Sequence, residues 1–427
     1  MKKLIIGAFV CSLATSASGQ IFDRIKNKVQ QKVNEKIDKT IDDVTDGKKK
    51  ETPPADTKPG NTTPDSPSDN SGADATKSAP VKTDITSYSR FDFVPGEKII
   101  IEETFAQDPV GEFPGQWNTR SGAELVTVDN RPGKWLSIKQ DGIFYPEYLT
   151  SNLPDNFTLQ ADLMATNTIS SIGGITISLL KTANTDEKFQ YSTESDVSIP
   201  SFKITLYPKS SGDGSLHYSS NVIGGHSMPA LPAFNVPKKN AVRVAIWRQK
   251  QRVRVYLDST KILDLPRALD AGTIFNTLAF ASYAPDYDQK GGTFFISNIR
   301  LAVGAPDTRN KLVTEGRFST HGILFDTNSD AIQPESYGTL KEIATVLKEN
   351  PAMRVTIIGH TDADGNEQLN LELSKRRAAA VKTSLANDFG IDASRMETNG
   401  KGKTQPIDSN TTEAGKANNR RVEFIKS

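Results

Sequence analysis

The sequence predicts a multidomain chain: an all-β sandwich followed by a smaller α/β domain of order β-α-β-α-β, preceded by an N-terminal amphipathic helix and a disordered linker. Three observations predict it. Residues 88–304 hold many short runs in which apolar and polar side chains alternate, punctuated by Gly, Pro, Asn and Asp. Residues 353–388 pass from a strand-like stretch carrying Val355, Ile357 and Ile358, through a turn that ends in glycine, into a helical period. Residues 51–78 contain no aromatic and no large aliphatic residue, so nothing there offsets the entropy of ordering a chain.

Composition narrows the function classes. The 427 residues carry 52 Lys and Arg against 51 Asp and Glu, a balance that argues against a nucleic-acid partner. Met1-Lys-Lys, the apolar run from Leu4 to Leu13, and the small residues Ala17 and Gly19 predict a signal peptide over residues 1–19, cut before Gln20, and hence export. The single cysteine, Cys11, lies inside it. Ala8-Phe9-Val10 is a poor lipidation signal, and the mature chain is expected to hold no disulfide. Beyond residue 20 no apolar run approaches the roughly 18 residues of a membrane-spanning helix.

Residues 20–47 are read as the amphipathic helix. Ile21, Ile25, Val29, Val33, Ile37 and Ile41 recur every fourth residue, and at about 100° per residue the stripe drifts about 40° at each step. So narrow and winding a stripe builds no core by itself. A solvated helix, self-association through residues 21–44, and rest on a membrane surface all fit it. Residues 48–87, rich in Pro, Ser, Thr and Asp, are the tether.

Within 88–304 the alternating runs are Phe157 to Leu163, Phe202 to Leu206, Val242 to Ile246, Val253 to Leu257 and Phe294 to Leu301. Charged residues on one face and Val, Ile, Leu and Phe on the other predict antiparallel sheets with one buried side. Residues 305–310 read as a short linker, a hinge into the last domain, residues 305–427. There Pro334 and Glu335 suit the first turn of a helix carrying Leu340, Ile343, Val346 and Leu347, which Asn350-Pro351 ends. A strand at 353–358, a turn at 359–365, a helix at 366–388 and a closing strand at 421–425 predict two helices on a mixed sheet.

The turn brings Asp362 to a sheet edge facing the second helix. On that helix Asn370, Ser374 and Arg377 fall within roughly 60° of one another beside Leu373 and Val381, which are expected to face the core. Two readings stand. In one, Asp362 and Arg377 form an ordinary ion pair that ties the helix down. In the other they receive a zwitterion, the acid taking an ammonium and the guanidinium forking onto a carboxylate.

The segments Ile323-Leu-Phe-Asp-Thr-Asn-Ser-Asp-Ala-Ile332, Gly359-His-Thr-Asp-Ala-Asp-Gly365, Asn370-Leu-Glu-Leu-Ser-Lys-Arg-Arg-Ala378 and Asn419-Arg-Arg-Val422, in that order, resemble the OmpA-like peptidoglycan-binding domain over about residues 315–427. The resemblance implies a peptidoglycan partner. Asp362 and Arg377 would hold the ammonium and carboxylate of a diaminopimelate residue in the stem peptide. It places Asn370 on the family's helix asparagine and Thr327, Asn328 and Asp330 on its ligand-facing loop. Arg420, the first arginine of the last motif, either contacts ligand or holds the last strand. No catalytic residue, cofactor or metal is implied. His360 is read as positional, since the four histidines form no ligand spacing. The cell envelope implied is that of a Gram-negative bacterium, with the protein in the periplasm and associated with peptidoglycan and the outer membrane.

The strand pattern of 88–304 resembles concanavalin A-like or LamG-like jelly rolls, which implies a glycan or an envelope protein as a second partner. Two rivals follow. A glucan hydrolase of that fold needs Glu-x-Asp-x-x-Glu on one strand, and the nearest match, Glu194-Ser-Asp-Val-Ser-Ile199, ends in Ile and reads as an acidic loop. A membrane β-barrel needs strands of about 9–11 residues with aromatic girdles, and the runs here are shorter. Trp117, Trp135, Trp247 and the Tyr283 to Tyr287 loop are either sugar-stacking aromatics or core anchors.

Overall fold

The computed structural model describes residues 91–427 apart from Ser195, Ser210, Ser211, Pro237, Ala305 and Pro306. The expected signal peptide, amphipathic helix and tether lie outside the described residues.

Fifteen strands build the first part: β1 (Lys98–Glu103), β2 (Trp117–Thr119), β3 (Glu124–Val128), β4 (Arg131–Ile138), β5 (Gly142–Pro146), β6 (Asn156–Ala165), β7 (Gly174–Leu180), β8 (Ser201–Tyr207), β9 (Gly214–Ser220), β10 (Gly224–Leu231), β11 (Ala241–Gln249), β12 (Arg252–Leu257), β13 (Thr260–Leu265), β14 (Thr277–Tyr283) and β15 (Phe294–Val303). They form two antiparallel sheets, β13-β12-β11-β6-β15-β4-β3 with β1 also on β15, and β10-β9-β8-β7-β14-β5-β2. The predicted alternation is visible in β6, where Phe157, Leu159, Ala161 and Leu163 are buried in the common core with Phe144, Phe202 and Phe280. Residues of both antiparallel sheets share one apolar core. A helix that the alternation did not announce, α1 (Thr185–Tyr191), is started by the Asn184 side chain accepting from the Glu187 amide.

The last part continues with β16 (Arg317–Thr320), α2 (Tyr337–Glu349), β17 (Val355–His360), α3 (Glu367–Asn387), β18 (Met396–Gly402), α4 (Glu413–Asn419) and β19 (Val422–Lys426). The sheet order is β16-β19-β17-β18. Only β17 and β18 are parallel, and α3 is the crossover that a parallel pair requires. Two helices were expected and α4 is a third. Its sequence, Glu-Ala-Gly-Lys-Ala-Asn-Asn, is a poor helix former, and tertiary contacts hold it: Thr412 caps the Gly415 amide, and Ala417 is buried against Ile99 and Ala302.

The hinge expectation is overturned. Thr308–Asn310 and Lys311–Glu315 are helical turns rather than a free linker, and the sandwich and the α/β part pack into one compact unit. The arm ahead of β1 lies on the outer face of the first sheet, where Phe91 and Phe93 are buried with Trp247 and Tyr256 and meet Tyr337 of α2. Gly338 is required there, because a Cβ would come within 2.2 Å of the Phe93 carbonyl oxygen. Asn418 of α4 seals the joint by accepting from the Ile99 amide and donating to the Ile99 carbonyl, both at 2.9 Å. Burying two phenylalanines is worth about 2 kcal/mol each, so the arm is a docking element.

Candidate functional site

α3 begins where Asn366 accepts from the Gln368 and Leu369 amides and runs back along β17. Its buried stripe is Ser374, Ala378, Val381 and Leu385. Leu373, expected in the core, is only partly buried, because backbone fills that space: Gly359, Gly400 and Gly402 each approach α3 so closely that an added Cβ would lie within 3 Å of it. Ser374 turns into this contact and accepts from the Gly402 amide at 2.9 Å. The small residues at the crossing fix how far Asp362, just past the end of β17, stands from Arg377 on α3.

The ion-pair reading is not met: among the described residues Asp362 pairs with Arg420 and not with Arg377. Asp362 instead accepts from Arg420 Nη1 at 2.6 Å, and its other oxygen takes the Asp364 amide at 3.2 Å. Arg377 donates from Nε to the Ser329 carbonyl at 2.9 Å and from Nη2 to the Asp326 carbonyl at 3.3 Å. Its guanidinium also lies 4.8 Å from the centre of the Phe325 ring. Burial, then the like charge of Arg420, holds the Arg377 guanidinium below its ordinary value, while Asp362 acts the other way. The reason for the changed partner is geometric: two backbone carbonyls of one loop match a planar fork, and Asp362 meets the arginine that follows α4.

The other predicted residues surround this pair. Asn370 donates to the Asp364 carbonyl at 2.7 Å and so shapes the turn that carries Asp362. Thr327 and Asn328 are exposed at the tip of the loop that Arg377 holds, with Asn328 in the left-handed region at φ 57°. Asp330 stands 3.6 Å from Arg376. A pocket of about 130 Å³ opens at the centre, lined by Arg377, Arg420, Phe325, His321, His360 and Arg300 among others. Arg300 belongs to the sandwich. It forks onto Glu102 with both contacts at 2.6 Å, and Glu102 stands 3.7 Å from Arg420. Sequence reasoning missed Glu102, Arg300 and His321; a carboxylate in β1 and a guanidinium in β15 signal nothing until the strands pair in register.

His360 is buried 3.5 Å from Glu423 and held down to about 4, chiefly by burial and by Arg421. His321 is likewise held down to about 4, by burial first and by Arg300 next. Its ring is neutral when folded and protonates in the unfolded chain near the ordinary 6.5. Its contribution is therefore complete above pH 6.5 and drains away as pH falls through 4, by on the order of 3 kcal/mol. Melting temperature is expected to fall across that window, and less steeply in His321→Gln; equal slopes in the two chains would contradict this.

Glu194 and Asp196 lie in irregular chain after α1, not on a strand. Glu194 pairs with His217 at 2.8 Å and takes the Tyr207 hydroxyl, while Asp196 takes the Ser198 amide and hydroxyl. The three tryptophans are buried, whereas Tyr283 and Tyr287 are 56% and 76% exposed. Among the described residues no group of His, Cys, Asp and Glu is placed to hold a metal, and no helix is long and apolar enough to cross a membrane.

Comparison with known proteins matches one segment of the chain. "Probable lipoprotein YiaD" of Escherichia coli is 45% identical over 107 residues, 25% of this chain and 48% of that protein. Outer membrane porin F of Pseudomonas aeruginosa is 38% identical over 101 residues, 24% of this chain and 29% of the porin. Peptidoglycan-binding protein ArfA of Mycobacterium bovis is 40% identical over 103 residues, 24% of this chain and 31% of that protein. The chain thus spans about half the length of these relatives or less. Among solved structures, the peptidoglycan-associated lipoprotein from Burkholderia pseudomallei is 32% identical, covering 26% of this chain and 89% of that one at a TM-score of 0.24. The segment that holds the loop, the turn, α3 and Arg420, residues 324–420, is an OmpA family domain.

Proposed function

We propose that this is a non-catalytic protein of the cell envelope that anchors to peptidoglycan, with Asp362 taking the ammonium and Arg377 the carboxylate of a diaminopimelate in the stem peptide. The observation that carries the reading is an acid in the turn and a planar cation on the helix of one strand-turn-helix unit, the cation lining a pocket, within an OmpA family domain. A relative named as a peptidoglycan-binding protein supports it. Asn370 supports the turn, and Thr327, Asn328 and Asp330 flank the stem. Arg377 has Nη1 left over after its two carbonyl contacts among the described residues, so it can receive a carboxylate without releasing the loop.

Two charge-assisted contacts contribute roughly 1.5–3 kcal/mol each, whereas micromolar affinity needs about 8 kcal/mol. Single-site binding is therefore weak and reversible, and retention comes from many stems meeting many copies. A signal peptide over residues 1–19 would export the chain, and we read it as a protein of the Gram-negative periplasm associated with the wall and the outer membrane. The sandwich, which we read as a concanavalin A-like jelly roll, offers Tyr283 and Tyr287 to a glycan or to another envelope protein. The test is sedimentation of the full chain with purified sacculi: the wild type is expected in the pellet, and a folded wild type that stays in the supernatant would overturn the anchoring role.

A further inference from the structure

We infer that the sandwich is part of the wall-binding site: Glu102, on β1, is the positioning residue that takes over Arg420 when a ligand ammonium claims Asp362. The inference rests on the reading of Asp362 proposed above. In the free protein Arg420 spends its short contact on Asp362 at 2.6 Å and stands 3.7 Å from Glu102. An ammonium arriving at Asp362 competes with Arg420 for one carboxylate. Without a second acceptor, Arg420 would be left with the like charges of Arg377 and Arg300, which line the same pocket.

Glu102 is that acceptor. Its carboxylate side chain is only 9% exposed, so it is screened little by solvent. Cross-strand pairing of Glu102 with Arg300 fixes its position, and the docking of Asn418 on Ile99 holds β1 against the α/β part. The pocket and a larger groove of about 960 Å³ share Arg300, Leu324 and Phe325. Glu102 lines that groove together with Thr327, so sandwich and loop face the ligand from two sides. Glu102 lies outside residues 324–420, so the family domain alone does not contain it.

The experiment measures binding of a soluble stem peptide carrying diaminopimelate, with its side-chain amine free or acetylated, to the full chain. Wild type should prefer the free amine. Glu102→Gln should lose about tenfold for the free amine and little for the acetylated peptide, a ligand-dependent loss that a general weakening of the fold does not produce. Glu102→Asp keeps a charge beside Arg300 while drawing it away from Arg420; it should show the same difference on a smaller scale, and it decides the matter if Glu102→Gln fails to fold. Should Asp362→Ala bind poorly while the Glu102 variants discriminate as wild type does, this inference falls alone. If Asp362→Ala discriminates as wild type does, the reading of the site falls and this inference with it.

Discussion

Asp362→Ala, in the full chain, is expected to remain in the supernatant under conditions where wild type sediments with sacculi. The removed carboxylate is worth roughly 1.5–3 kcal/mol at each stem, or about 10- to 150-fold, and multivalent retention amplifies a per-site loss of that size. The fold should change little. Asp362 and Arg420 are a partly exposed pair, a class worth about 1 kcal/mol or less, and Arg420 still has Glu102 nearby. Arg377→Lys should show the same loss of retention, since an ammonium keeps the charge but cannot hold two loop carbonyls and a ligand carboxylate together. Melting curves taken alongside the pull-downs separate the outcomes. If lost retention comes only with a matching collapse of stability, both residues serve the fold and not the wall.

Gly359→Ala is expected to have the largest effect on stability, about 3 kcal/mol, the upper end for overpacking a rigid contact. A Cβ there would lie 2.2 Å from the Ser374 carbonyl oxygen, and backbone on both sides leaves no flexible side chain to move. α3 must back away from β17, which also pulls Arg377 out of register with the loop at Asp326 and Ser329. Stability and wall binding should therefore fall together. Gly365→Ala provides the contrast: its φ is +82° with no atom near the added Cβ, so the cost is left-handed backbone strain alone, about 1 kcal/mol. Equal melting temperatures for the two variants would refute the close-packing account.

Much of this was legible in the sequence because it is local. Apolar alternation located β6, β8, β11, β12 and β15, and the passage from a buried strand through a turn to a helical period located β17 and α3. Helix α4 was not legible, since Gly415 and two asparagines argue against a helix until Ser409, within 1.9 Å of where a Gly415 Cβ would stand, and Ile99 shape its surroundings. Of the two readings left open for Asp362, the ion pair with Arg377 is not met, for a related reason. Spacing on one helix proposes Arg377, whereas Arg420 arrives from 58 residues further on, and only the tertiary fold can rank the two. Residues 305–310, between the parts, read as a short linker. What immobilises it, Phe91 and Phe93 on Trp247 and Tyr256, lies some two hundred residues upstream.

Asn418 has one more effect. By meeting both backbone groups of Ile99, its amide occupies the free rim of β1, where another chain's strand would otherwise add.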